Sequence, residues 1–218
     1  MYSYINLHTH TFLNQKNCLE IVNNYPNEAL ESAFFSVGIH PWHINENWQK
    51  ELVLVTEKLK LSNNVALGEC GLDNRIDVPM DIQLTVFKAQ LMLAEQLKKP
   101  VIIHCVGAFQ EVIRLKKDLK ITVPMVVHGF SKNSQIAEQL VKHGFYLSFG
   151  KYLFLNPTLP EVFKETPLEN IFLETDTSHF SIEEVYQKAA TIKNISTDFL
   201  IKKIKASFEK LKPNNCTY

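Results

Sequence analysis

Short apolar runs, separated by stretches of helical periodicity, recur along the whole chain. Eight of them read as strands: Tyr2–Leu7, Leu19–Asn23, Phe34–Ile39, Val65–Glu69, Val101–His104, Met125–His128, Tyr146–Phe149 and Ile171–Glu174. Trp48, Leu52, Val55 and Leu59 recur every three or four residues and define one helix face. Val86, Gln90, Leu93 and Leu97, beside Phe87, Leu91 and Ala94, mark a stronger helix that stops before Pro100. Ile136, Ala137, Leu140 and Val141 mark another ending near Gly144, and Leu200, Ile204, Phe208 and Leu211 an amphipathic helix close to the C-terminus. Strands alternating with helices imply a parallel sheet, and eight such strands imply a closed, distorted TIM (β/α)8 barrel of class α/β.

Two crossovers are irregular. Only about a dozen residues separate the first two strands, near the minimum for a parallel crossover, so the first crossover helix is expected to be missing. Pro157, Pro160 and Pro167 leave room for at most a short helix between the seventh and eighth strands. No internal repeat, low-complexity segment or long linker interrupts the pattern, and residues 1–218 are expected to form a single domain.

The polar residues that close these runs carry the chemistry. His8 and His10 follow the first run, Glu69 closes the fourth, His104 the fifth, His128 the sixth, and Asp176 lies just past the eighth. Imidazoles and carboxylates suit divalent transition metals. A parallel barrel gathers strand C-terminal ends from distant sequence into one mouth, so these six are expected to serve one or two metal ions. With Thr9 between them, His8 and His10 point the same way on an extended backbone and can chelate one ion. Glu69, with two oxygens, is the candidate shared ligand, placed at a strand tip; His104 and His128 complete one ion and Asp176 the other. Two divalent ions outweigh two carboxylates, so the site attracts anions such as phosphate esters and stabilises attacking and leaving oxygens of a displacement. Asp176 is the candidate general base, and Asp176 and Glu69 are the candidate catalytic pair. Histidine-rich ligation favours zinc, manganese or iron over magnesium, which prefers oxygens.

Charge narrows the substrate. Lys and Arg total 23, Asp and Glu total 23, and the pI is about 7.1. This balance argues against a dedicated long-duplex DNA binder, which carries a basic face, and leaves an anionic small molecule or a nucleic-acid end. Cys18, Cys70, Cys105 and Cys216 lack close-pair metal spacing. Cys70 and Cys105 follow Glu69 and His104 directly, so on extended strands they face away from the ligands. Residues 1–20 lack the basic flank and apolar core of a signal peptide, and no run reaches membrane-spanning length. The expected setting is cytoplasmic with free thiols and no membrane partner.

Six stretches together resemble the TatD-type metal-dependent hydrolases, which are related in fold to the amidohydrolase superfamily. They are Leu7-His8-Thr9-His10, Ser36-Val37-Gly38-Ile39-His40-Pro41, Ala66-Leu67-Gly68-Glu69-Cys70-Gly71-Leu72-Asp73, Pro100-Val101-Ile102-Ile103-His104-Cys105, Val127-His128-Gly129-Phe130-Ser131 and Glu174-Thr175-Asp176. The resemblance implies a distorted barrel, one or two divalent metals and phosphodiester hydrolysis, often as a 3′-end-directed deoxyribonuclease. This chain departs from the family pattern at Asn6, where an acid is usual. It departs again at Val106 and Gly107, where a basic residue often follows the third histidine, and at Glu183-Glu184-Val185-Tyr186, which replaces an arginine-asparagine-x-proline stretch. It is also shorter between His10 and Phe34. These departures spare the metal ligands and thin the basic groups available to substrate.

His40, Asp73 and Arg75 are the candidate substrate-binding residues, with Asp73 alternatively orienting a ligand histidine. Lys132 and Lys151 are placed on mouth loops as further phosphate partners. Trp42 and Phe130 are expected to pack apolar surface rather than stack on a base. His179 lies near Asp176 in sequence. An amidohydrolase acting on a C–N or ester bond, or a metal-binding protein without catalysis, are the competing readings. Many amidohydrolases bridge their metals with a modified lysine, and Glu69 at that place favours the phosphodiesterase.

Overall fold

The computed structural model describes residues 2–30 and 32–211, so Cys216 lies outside the described residues. Its strands are β1 (Tyr4–Thr9), β2 (Cys18–Asn24), β3 (Phe34–Val37), β4 (Asn64–Asp73), β5 (Val101–Val106), β6 (Met125–Val127), β7 (Phe145–Phe149) and β8 (Ile171–Leu173), in a sheet that follows chain order. Its helices are α1 (Trp48–Leu59), α2 (Met80–Leu97), α3 (Phe109–Asp118), α4 (Ser134–Lys142), α5 (Tyr152–Leu155), α6 (Leu159–Glu165), α7 (Ile182–Lys193) and α8 (Thr197–Leu211). As expected, no helix separates β1 from β2. Between β7 and β8 the prolines permit two short helices and a 3-10 turn, Leu168–Asn170, rather than one. Among the described residues, no helix is long and apolar enough to cross a membrane.

The described residues form two compact units. In the unit of residues 23–126, β4 pairs in parallel with β3 and β5. Every residue of β4 is buried, as strands covered on both faces require. Glu69 was expected at a strand tip; instead β4 runs four residues further, to Asp73, and β5 runs past His104 to Val106. Two glycines allow this. A Cβ on Gly68 would lie 2.4 Å from the Ile102 carbonyl oxygen, and one on Gly71 2.0 Å from that of His104. Both have positive φ, near 140°, which only glycine adopts readily. The register shifts between Leu67 and Cys70, and Gly71 stands opposite His104.

Helix α2 braces these strands with polar side chains on its buried face. Gln90 accepts from the Ile39 N–H (2.8 Å) and donates to the Ile39 carbonyl (3.1 Å). Gln83 accepts from the Asp73 N–H (2.8 Å) and donates to the carbonyls of Asp73 and Val78. On the same helix Glu95 accepts from the Thr122 N–H, the Val123 N–H and the Thr122 hydroxyl, holding the entry to β6. Burial opposes its charge, but these donors and Lys98 outweigh it and lower the carboxyl from 4.5 to about 2. A folded-state value below the unfolded one gives stability that is present above pH 4.5 and disappears as pH falls through about 2. Glu95→Gln is therefore expected to unfold earlier in denaturant than the parent at neutral pH, with the two curves merging across that acid window.

In the unit of residues 2–22 and 127–211, β1 pairs with β2 and β7 with β8, again in parallel. The segment after β8 returns to β1: Thr9 bridges Asp176, the His10 N–H donates to the Asp176 carbonyl, and the Asp176 N–H donates to the His8 carbonyl. Asn6 joins the same two segments side chain to backbone. Its Oδ1 accepts from the Thr175 N–H (3.0 Å) and its Nδ2 donates to the Thr175 hydroxyl (2.7 Å). From α7, the buried Tyr186 hydroxyl accepts from the Ile5 N–H and donates to the Ile5 carbonyl. A capping box of Ser181 and Glu184 starts that helix.

Candidate functional site

In the first-described unit, residues 23–126, the interior position of Glu69 places its carboxylate between two imidazoles. His40 Nε2 and His104 Nδ1 each lie 3.1 Å from Glu69 Oε1. His104 Nε2 lies 3.1 Å from Asp73 Oδ2, which also accepts from the Trp42 indole N–H at 3.0 Å. Glu69 and Asp73 stand on one face of β4, four residues apart with Gly71 between them, and the His104 ring reaches both.

These partners fix the His40 tautomer. His40 Nδ1 accepts from the Trp42 backbone N–H, so its proton sits on Nε2 and is donated to Glu69. His104 is held between two carboxylates, with Nε2 facing Asp73 Oδ2 and Nδ1 facing Glu69 Oε1 at the same distance. Burial raises the Asp73 carboxyl, but bonds from Trp42, His104 and the Arg75 backbone outweigh it and keep it below its ordinary range. Asp73 thus stays an acceptor. A ring nitrogen and a carboxylate oxygen 3.1 Å apart are separated as two ligands of one ion are. The ligand atoms of His40, Glu69 and His104 all lie within 4.8 Å of one another. With His40 Nε2 committed to Glu69, the donors of this group that fit a divalent cation are Glu69 and His104.

A second group lies in the unit of residues 2–22 and 127–211. The ligand atoms of His8, His128 and Asp176 fall within the same 4.8 Å limit. Ring centroids of His8 and His128 are 4.3 Å apart, those of His8 and His10 5.1 Å. His8 Nε2 and His10 Nε2 approach Asp176 Oδ1 at 4.0 and 3.7 Å. The other oxygen, Oδ2, accepts from Lys151 Nζ at 2.9 Å. Burial raises the Asp176 carboxyl, yet His128, His8 and Lys151 outweigh it and hold it below its ordinary range. Asp176 has φ of +53°, a left-handed conformation that aspartate and asparagine tolerate better than most residues.

The six expected ligands are thus shared between these groups: His8, His10, His128 and Asp176 in one, Glu69 and His104 in the other. His40 joins the latter by orienting Glu69. Asp73, expected against substrate, is 1% exposed and engages His104, Trp42 and the Arg75 backbone. Arg75 is 71% exposed and Lys132 half-buried. Phe130 is core, packed edge-on against Phe149. Trp42 departs from its expected apolar packing: it is 58% exposed, because its N–H is tied to Asp73 instead of its ring being buried. His179 is exposed and lies against Phe180. Cys18, Cys70 and Cys105 are buried thiols outside both ligand groups.

Sequence reasoning passed over Glu174 as a functional residue. It is fully buried, accepts from the Gly129 N–H at 2.8 Å, and places Oε1 3.4 Å from His128 Nδ1. It holds His128 as carboxylates behind metal-bound histidines do. The available signal was its alternation with Asp176, two residues on.

Comparison with known proteins places these features. The YabD protein of Bacillus subtilis (strain 168), described as an uncharacterized metal-dependent hydrolase, is 35% identical over 153 residues, 68% of this chain and 60% of its own. The 3'-5' ssDNA/RNA exonuclease TatD of a Rahnella species (strain Y9602) is 32% identical over 177 residues, 77% of this chain and 65% of its own. The matches span about 60% of the length of such relatives. The crystal structure of YJJV, a TatD homolog from Escherichia coli K12, superposes with a TM-score of 0.84 at 22% identity, covering 96% of this chain and 98% of that one. A TatD family hydrolase from Entamoeba histolytica gives 0.70 at 19% identity, over 82% and 74%. The fold is the distorted (β/α)8 barrel expected from the strand pattern, with the first crossover helix missing. The model of TatD related DNases matches residues 3–212, nearly the whole described chain, and with relatives above 30% identity it makes this chain a member of that family.

Proposed function

We propose that this chain is a metal-dependent phosphodiesterase that removes nucleotides from single-stranded nucleic-acid ends. The observation that carries the proposal is that each unit contains a His–carboxylate group whose ligand atoms lie within 4.8 Å of one another. That one relative is named a 3'-5' ssDNA/RNA exonuclease supports the substrate class. One or two divalent ions would be held by His8, His10, His128 and Asp176 in one unit and by Glu69 and His104 in the other. Nitrogen-rich ligation favours zinc, manganese or iron. Bound there, such ions supply Lewis-acid charge beside the scissile ester.

The chain's own groups divide the remaining work. Lys151 occupies Asp176 Oδ2, so Oδ1 is the oxygen that accepts a proton from the attacking water. His40 orients Glu69, Asp73 orients His104, and Glu174 orients His128. The buried thiols of the described cysteines support a reducing, cytoplasmic setting.

The test is metal analysis of the purified chain followed by incubation with single-stranded DNA labelled at either end, a simple phosphodiester and a panel of small amides. Release of mononucleotides from one end, abolished by chelation and restored by zinc, manganese or iron, is the expected result. Cleavage of the amides alone would turn the reading to an amidohydrolase. Bound metal without turnover on any substrate would leave a non-catalytic metal protein.

A further inference from the structure

We propose that Trp42 and Arg75 form a clamp for an unpaired nucleotide, with the indole face stacking on the base and the guanidinium meeting a phosphate oxygen. This rests on the reading of the chain as an enzyme of nucleic-acid ends, and names the residues that would recognise such an end.

Trp42 is an exposed tryptophan. A large aromatic ring left 58% open to solvent gains little from burial. Its orientation is nevertheless fixed: the indole N–H donates to Asp73 Oδ2 at 3.0 Å. It lies nearly perpendicular to His40 (5.2 Å between centroids, 89°) and to His104 (5.9 Å, 75°). Those are the two imidazoles on either side of Glu69. An apolar face therefore stands rigidly beside the proposed ligands without a packing role of its own.

Arg75 is tied to the same carboxylate. Its backbone N–H donates to Asp73 Oδ1 at 3.0 Å, and its Nε lies 3.7 Å away from that oxygen, while the side chain is 71% exposed. One buried acid thus sets a stacking surface, a cation and a ligand histidine in fixed relation. The ring series continues outward: His43 lies 5.8 Å from His40, and Tyr25 packs edge-on to His43 at 5.0 Å. An aromatic face beside a guanidinium is the chemistry that holds unpaired nucleotides, since every base has a π-face and every link a phosphate. A base within a duplex already stacks on its neighbours and cannot present that face. The clamp therefore selects unpaired ends, with little preference among bases. It also compensates for the basic groups absent at Val106 and Gly107. Asp73 acts here as a positioning residue.

The experiment has a binding arm and a selectivity arm. In the first, tryptophan fluorescence of the parent and of Trp42→Leu is followed during titration with deoxyadenosine monophosphate or deoxyribose 5-phosphate. The parent is expected to show saturable quenching by the nucleotide and none by the sugar phosphate. The quench should vanish in Trp42→Leu, in which Trp48 remains, and Arg75→Gln should weaken nucleotide binding several-fold. In the second arm, kcat/KM is compared for single strands ending in a normal or an abasic 3′ nucleotide. The parent is expected to favour the base-bearing end by about tenfold, a stacking-sized effect. Trp42→Leu should erase that ratio, Trp42→Phe should keep most of it, and bound metal should stay constant in both. Absence of saturable quenching, or an unchanged ratio in Trp42→Leu, overturns the clamp even if the chain degrades nucleic acid. Quenching that depends on Trp42 in a chain that cleaves no nucleic-acid end upholds the clamp and overturns the proposed activity.

Discussion

Asp176→Asn is expected to reduce turnover by at least about 10²-fold, the low end of what losing acid–base catalysis costs. Asparagine suits the test because it keeps the side-chain size and tolerates the +53° φ at this position, so the backbone stays in place. What changes is the charge. Oδ1 no longer accepts a proton, and Lys151 faces a neutral amide instead of a carboxylate. The proton-accepting role exists only during reaction, so kcat should fall much more than KM rises. Steady-state kinetics with metal analysis of the same sample separates the effects. Near-normal turnover would remove Asp176 from the proton transfer.

Glu69→Ala should act earlier, on the metal itself. Its Oε1 stands 3.1 Å from both His40 Nε2 and His104 Nδ1, and without it those rings face each other with no anion between them. Losing a residue behind a ligand typically costs about 10- to 100-fold in metal affinity, and losing a ligand itself should exceed that. Metal content and activity are expected to fall together. The fold should persist, because the backbone N–H of residue 69 still donates to Asn23 Oδ1. Unchanged metal content in this variant would show that Glu69 is not a ligand.

Much of the barrel could be read from the residues because parallel strands buried on both faces become continuous apolar runs. β5, β6 and β8 begin where the pattern places them, and the absent helix after β1 follows from chain length alone. The end of β4 could not be read. Gly68 and Gly71 look like turn residues in sequence, yet they serve close approach of β5, a contact made by residues more than thirty positions away. Helices α3 and α7 were hidden among charges, since α3 buries only Val112 and Ile113. The ligand types were legible because metal chemistry restricts them to few residues. Their supports were not. Gln83, Gln90 and Glu174 are defined by which distant backbone they meet, and nothing local to them records it.

The join between Asn6 and Thr175 has a consequence for acid tolerance. Where the family pattern carries an ionisable acid, this chain closes β1 against the segment after β8 with an amide and a hydroxyl, neither of which titrates in the accessible range. The join adds no negative charge next to His8 and keeps both hydrogen bonds whatever the proton concentration. Acidification therefore reaches this protein through its imidazoles and carboxylates, and not through the two hydrogen bonds of this join.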